Sequence, residues 1–143
     1  DFSTATGLNV DFVQDNHSFS RQWTLRGLHY QLEQTQGKLV RVVAGSVFDV
    51  AVDIRKDSPT YGQWDCVELS AQNGLSVFIS EGLGHAFLTL EDGSVANYLC
   101  TSEYAPEADR TINPLSAKLA IAFESSGITE FLLSQKDSDA ADF

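Results

Sequence analysis

Between Lys38 and Cys100 apolar and polar side chains alternate in short runs, and a period of two marks strands rather than helices. The runs are Lys38–Val43, Val47–Ile54, Gln63–Leu69, Leu75–Ile79, His85–Leu90 and Val95–Cys100. Turn signals separate them at Ala44-Gly45, Asp57-Ser58-Pro59, Gln72-Asn73-Gly74, Glu81-Gly82 and Asp92-Gly93. Strands recurring at this spacing predict an all-β sandwich or barrel. A further strand is expected over Leu25–Leu32, and a weaker one near Leu8–Val13. Beyond Phe123 the chain turns to Ser, Asp and Gln, so residues 1–125 are expected to form one domain and 126–143 a polar, solvated tail.

Alternation also assigns faces. A two-residue hairpin loop at Ala44-Gly45 would pair Val43 with Ser46 and set Lys38, Val40 and Val42 beside Val47, Asp49 and Ala51. A hairpin on Asp92-Gly93 would likewise set His85 and Phe87 beside Tyr98 and Cys100. A one-residue slip in either turn reverses the assignment.

At 143 residues, 43% hydrophobic and 20% charged, the chain has the size and composition of one globular domain. Nine Lys and Arg against 20 Asp and Glu give a net charge of −11, which repels a phosphate backbone unless the few cations cluster. Nucleic acid is therefore not an expected partner. The sequence has no run of about 18 apolar residues and no basic segment leading into an apolar one, so a cytoplasmic protein with no membrane partner is expected. Cys66 and Cys100 stand alone and read as reduced thiols, a single disulfide being the alternative.

A lysine, an aspartate, a histidine and a tyrosine directed into an apolar barrel must be paired or functional, because unpaired burial is costly. The same residues also fit solvated surface pairs, and composition alone leaves both readings open. His17, His29 and His85 lie far apart without an HxH pair, so no metal site is indicated. Neither cysteine has an activating neighbour, no serine sits in a GxSxG turn, and Gly82-Leu83-Gly84 lacks the pattern of a phosphate loop.

Particular strings carry more. Asn16-His17-Ser18-x-Ser20, Leu25-Arg26-Gly27-Leu28-His29-Tyr30-Gln31 and Gly37-Lys38-Leu39-Val40-Arg41-Val42 are followed by the run from Val47 to Arg55 and by Ser58-Pro59-Thr60. Then come Glu81-Gly82-Leu83-Gly84-His85-Ala86-Phe87 and Tyr98-Leu99-Cys100-x-x-x-Tyr104-x-Pro106. In this order they resemble the dTDP-4-dehydrorhamnose 3,5-epimerase family, with matches from residue 14 to about 121. The resemblance implies a cupin-like jelly-roll β-barrel and a homodimer. It also implies epimerisation at C3, C5 or both of a dTDP-4-keto-6-deoxyhexose, without metal or redox cofactor, in deoxysugar biosynthesis.

The resemblance further implies roles. A C4 ketone acidifies the hydrogens at C3 and C5, so inversion requires a base, a stabiliser for the enolate oxygen and an acid on the opposite face. His29 resembles the base, Lys38 the cation facing O4, and Tyr104 the acid; Asp49 would keep Lys38 protonated and aimed. Gln14, Asn16, Arg26, His85 and Tyr98 would line the nucleotide-sugar pocket, with Arg26 near the diphosphate, while His17 and Ser20 would tie the loop to the sheet. Strict alternation sends Arg26 and His29 to opposite faces, so a bulge at Gly27 is expected. In Ile112-Asn113-Pro114-Leu115-Ser116-Ala117, Ser116 stands where the family is expected to place the aspartate that orients its histidine, leaving Asp109 as a substitute. Phe123-Glu124 replaces the usual Trp-Pro, and residues 1–13 show no counterpart of the family's Asp-x-Arg-Gly arm. A weakened base is the expectation, with a catalytically silent nucleotide-sugar-binding relative as the alternative and a metal-dependent cupin as a third reading.

Overall fold

A computed structural model describes residues 1–143, the side chain of Ser126 excepted. The strands are β1 (Gln14–Ser20), β2 (Leu25–Gln31), β3 (Lys38–Ala44), β4 (Ser46–Asp53), β5 (Trp64–Ser70), β6 (Ser76–Ile79), β7 (Leu83–Thr89), β8 (Ser94–Cys100) and β9 (Asp109–Thr111). Two short helices, α1 (Phe2–Thr6) and α2 (Gln135–Ser138), lie near the ends. Antiparallel pairing builds a four-stranded sheet, β1-β8-β3-β6, and a five-stranded sheet, β5-β4-β7-β2-β9. The architecture is the cupin-like jelly roll. No helix is long and apolar enough to cross a membrane among the described residues.

Neither predicted hairpin forms. β3 and β4 belong to different sheets, as do β7 and β8, so Ala44-Gly45 and Asp92-Gly93 are corners at which the chain changes sheet. The grouping of side chains survives nonetheless. Val40, Val42 and Ala96 from one sheet pack against Val47, Leu69 and Phe87 from the other, so residues expected side by side face one another across a shared interior. Leu8–Val13 forms no strand; the first strand begins at Gln14, where polar side chains alternate inward and outward.

The segment after Phe123 departs most from expectation. The outer face of the five-stranded sheet, built by Leu25, Leu28, Val50, Val52 and Leu88, is covered by Leu119, Phe123 and Ile128, with Phe131, Leu133 and Phe143 packed around them. Leu132 exchanges backbone hydrogen bonds with Trp23 and Leu25 at 2.8 and 2.9 Å, and Phe143 lies against Tyr61 with ring centroids 4.9 Å apart. This polar end is therefore not a solvated tail. Widely spaced apolar residues anchor it: Ile128 is buried and Phe131, Leu133 and Phe143 are partly so, each contributing up to roughly 1.5–3 kcal/mol in proportion to its burial.

The Ser58-Pro59-Thr60 string serves structure. Asp53 accepts hydrogen bonds from the Arg55 guanidinium at 2.9 and 2.8 Å and from the Ser58 and Thr60 hydroxyls at 2.5 and 2.6 Å. Arg55 chiefly holds this carboxyl well below the usual range, against the opposing effect of burial. Cys66, exposed, and Cys100, buried, are both free thiols.

Candidate active site

The bulge expected at Gly27 is present. β2 pairs with β7 through Arg26–Phe87 and then through His29–His85, with a register shift between them. The extra residue brings Arg26 and His29 to the same inner face. Gly27 adopts φ +117°, and a Cβ there would lie 2.4 Å from the carbonyl oxygen of His85 and 2.6 Å from Ala86 Cβ.

Two adjoining cavities open between the sheets. The outer one, about 320 Å³, borders Gln14, Asn16, Tyr104, Asp109 and Lys136. The inner one, about 150 Å³, borders Ser18, Arg26, His85 and Phe87. His29, Lys38 and Tyr98 border both. All the site residues expected from sequence except Asp49 thus line this paired cavity. Among the described residues no cluster of three His, Cys, Asp or Glu converges as metal ligands do.

The partner of His29 is Asp137, whose Oδ1 lies 2.6 Å from His29 Nε2. Asp137 is 2% exposed and sits on α2, where its backbone N–H donates to the hydroxyl of the N-cap Ser134. Burial pushes this carboxyl up, but hydrogen bonds and the charge of His29, with those from Ser134 and the Gly27 backbone, bring it below the ordinary value. A donated Nε2–H fixes the tautomer and leaves the Nδ1 lone pair for a proton. The orienting carboxylate expected to be missing is therefore present, from a segment read as solvated. Ser116 is buried without a hydrogen-bond partner, and Asp109 instead accepts from Lys136 and, at 3.2 Å, from Tyr104.

Asp49 also departs from its expected part. Its Oδ2 lies 2.8 Å from His85 Nε2, with both residues buried, so Asp49 orients His85 and touches Lys38 only through longer-range charge. Lys38 is 8% exposed, and its ammonium makes no hydrogen bond among the described residues. Desolvation lowers it below the ordinary lysine value, against the pull of Cys100, Asp109 and Asp49. An ammonium in this state gains more than a solvated one when an anionic oxygen arrives.

The two tyrosines differ in position. Tyr104 is 54% exposed at the cavity mouth, with its hydroxyl committed to Asp109. Tyr98 borders both cavities, and burial, followed by the charge of Cys100, raises its phenol against the opposing effect of Arg26. Tyr98 and Lys38 project from the four-stranded sheet, whereas His29 projects from the five-stranded one. A ring lying between the sheets would meet the imidazole on one face and the phenol on the other.

Lys136 and Asp137 were missed in the sequence. The available signal was Ser134-x-x-Asp137, the spacing of a helix N-cap with an acidic third residue.

A family model described as dTDP-4-dehydrorhamnose 3,5-epimerase matches residues 1–143. The chain is 49% identical over 131 residues to a protein of that name from Methanothermobacter thermautotrophicus, covering 92% of this chain and 71% of the relative. A dTDP-6-deoxy-D-glucose-3,5-epimerase from Legionella pneumophila, solved in complex with dTDP-4-keto-L-rhamnose, superposes with a TM-score of 0.93 at 46% identity, covering 99% and 74% of the respective chains. A 3'-monoepimerase from Streptomyces bikiniensis in complex with dTDP-quinovose gives 0.90 at 39% identity, covering 99% and 71%.

Proposed function

This chain belongs to the dTDP-4-dehydrorhamnose 3,5-epimerase family, and from that membership we propose that its paired cavity epimerises a dTDP-4-keto-6-deoxyhexose with His29 as base and Tyr98 as acid. The observation that carries the assignment is the placement of His29 and Tyr98 on opposing sheets around one cavity. His29 Nδ1 removes a proton from the carbon beside the ketone, and the electron pair moves onto O4. Lys38, which borders both cavities, stabilises the resulting enolate oxygen. Tyr98 then delivers a proton to the opposite face of the same carbon, inverting it. Asp137 holds the imidazole tautomer and favours the imidazolium that forms. The outer cavity and Arg26 receive the nucleotide and its diphosphate. The presence of Asp137 removes the reason for reading the chain as a silent relative.

Solvent deuterium separates the two steps. Tyr98→Phe is expected to lower turnover about 10²- to 10³-fold while deuterium still enters the substrate, because the base can return a proton to the face it came from. Tyr104→Phe is expected to cost less than about 10-fold. The reverse ranking, measured by product configuration and mass, would return the acid to Tyr104.

The outer face of the four-stranded sheet presents Phe19, 67% exposed, and Val43, 46% exposed, whereas the outer face of the opposite sheet is covered by the chain's own end. We assign this face, where Phe19 and Val43 lie among the exposed Asp15, His17 and Arg41, to a homodimer contact. Sedimentation should show a dimer that Phe19→Asp weakens; a wild-type monomer at micromolar concentration would refute the assignment.

A further inference from the structure

The inward residues of β1 form a polar ladder, Gln14, Asn16, Ser18 and Ser20, and three of its four rungs are occupied. Gln14 donates to Asn16 at 2.8 Å and accepts from the Tyr104 backbone at 2.7 Å. Asn16 also donates to the Cys100 thiol at 3.5 Å. Ser20 accepts from Arg26 Nε at 3.1 Å. Ser18 Oγ is buried and has no hydrogen-bond partner, although the residue borders the inner cavity with Arg26, His29 and Tyr98, which a rotation about its χ1 would let the hydroxyl face. The other orphaned hydroxyls, on Thr89, Thr111 and Ser116, lie outside that cavity.

A buried hydroxyl without a partner is destabilising, so one retained beside a reaction cavity calls for a group that arrives from outside. The neighbouring guanidinium narrows the choice. Only Nε of Arg26 is engaged among the described residues, which leaves its terminal nitrogens as donors toward the same cavity. An oxygen-rich group held there would find cationic donors on one side and a hydroxyl, able to donate or accept, on the other.

We propose that Ser18 is a substrate-binding residue whose hydroxyl bonds an oxygen of the glycosyl phosphate part of the sugar nucleotide, either a hexose hydroxyl or an oxygen of the adjoining phosphate. This deepens the function proposed above and rests on it. It makes the inner cavity, rather than the nucleotide-facing outer one, the place where Ser18 acts. It also accounts for why this rung alone lacks a protein partner.

The test is calorimetric binding of dTDP and of dTDP-quinovose, which carries no ketone, to the full chain and to Ser18→Ala, alongside thermal melting. Removal of one hydrogen bond is expected to weaken dTDP-quinovose by about 5-fold or more, with Tm unchanged or raised because an unsatisfied group has gone. Loss confined to dTDP-quinovose assigns the bond to the hexose, and equal loss for dTDP assigns it to the phosphate; both support the proposal. Unchanged affinity for both ligands, or a lowered Tm with affinities intact, would overturn it and make the hydroxyl structural. A wild-type chain that binds neither ligand would instead refute the proposed function.

Discussion

His29→Ala should abolish incorporation of solvent deuterium into dTDP-4-keto-6-deoxyglucose, lowering turnover by about 10³-fold or more, and Asp137→Asn should follow it with a loss of about 10²-fold or more. The two effects share one cause. His29 and Asp137 lie 108 positions apart in sequence, yet their side chains meet at 2.6 Å, with the carboxylate 2% exposed. An asparagine in this place can donate as well as accept, so it stabilises either tautomer and offers no charge to the imidazolium. The fold should persist, because α2 keeps its Ser134 cap and the apolar anchors of the terminal segment are unchanged. Exchange rate and product configuration, read with far-ultraviolet circular dichroism, provide the check. Full exchange activity in Asp137→Asn would show that another group orients the base.

Gly27→Ala is expected to destabilise the protein by at least about 4 kcal/mol, a large share of the net stability of a small domain. The positive φ excludes an ordinary side chain, and the added carbon would strike His85 and Ala86 rather than a movable side-chain tip. Relief requires separating β2 from β7, the strand pair that carries both histidines. Denaturant unfolding measures the loss. A cost below about 1 kcal/mol would mean that the strands can part without penalty, and the bulge would lose its claim to set the geometry of the site. Ala substituted at Gly74 provides the contrast, since a Cβ there meets nothing within 4 Å and only its φ of +62° opposes the change.

Strands β2 to β8 were legible because each carries its own period of two, bounded by its own turn, whereas the polar β1 and the three-residue β9 carry no such apolar run. Inward side chains such as Lys38, His85 and Tyr98 were legible for the same reason, and alternation even required the irregularity at Gly27. What alternation could not reveal was which strands pair. It took Ala44-Gly45 and Asp92-Gly93 for hairpins, because a tight turn within a sheet and a corner between sheets use the same residues. Asp49 was consequently matched to Lys38 across an imagined hairpin, when β7 lies beside β4 and brings His85 to it.

By itself, the sequence determined an acidic β-protein, the inward face of each central strand and, through its ordered motifs, most of the residues that border the cavity. Those properties are local, fixed by neighbours a few positions away along the chain. Tertiary structure alone decided that the serine- and aspartate-rich end wraps the outer sheet and delivers Asp137 to His29, that Tyr98 borders both cavities while Tyr104 stands at the mouth, and that Asp49 meets His85. Each depends on contacts between distant segments, where the free energy comes from sparse apolar anchors and buried polar pairs that leave no periodic trace.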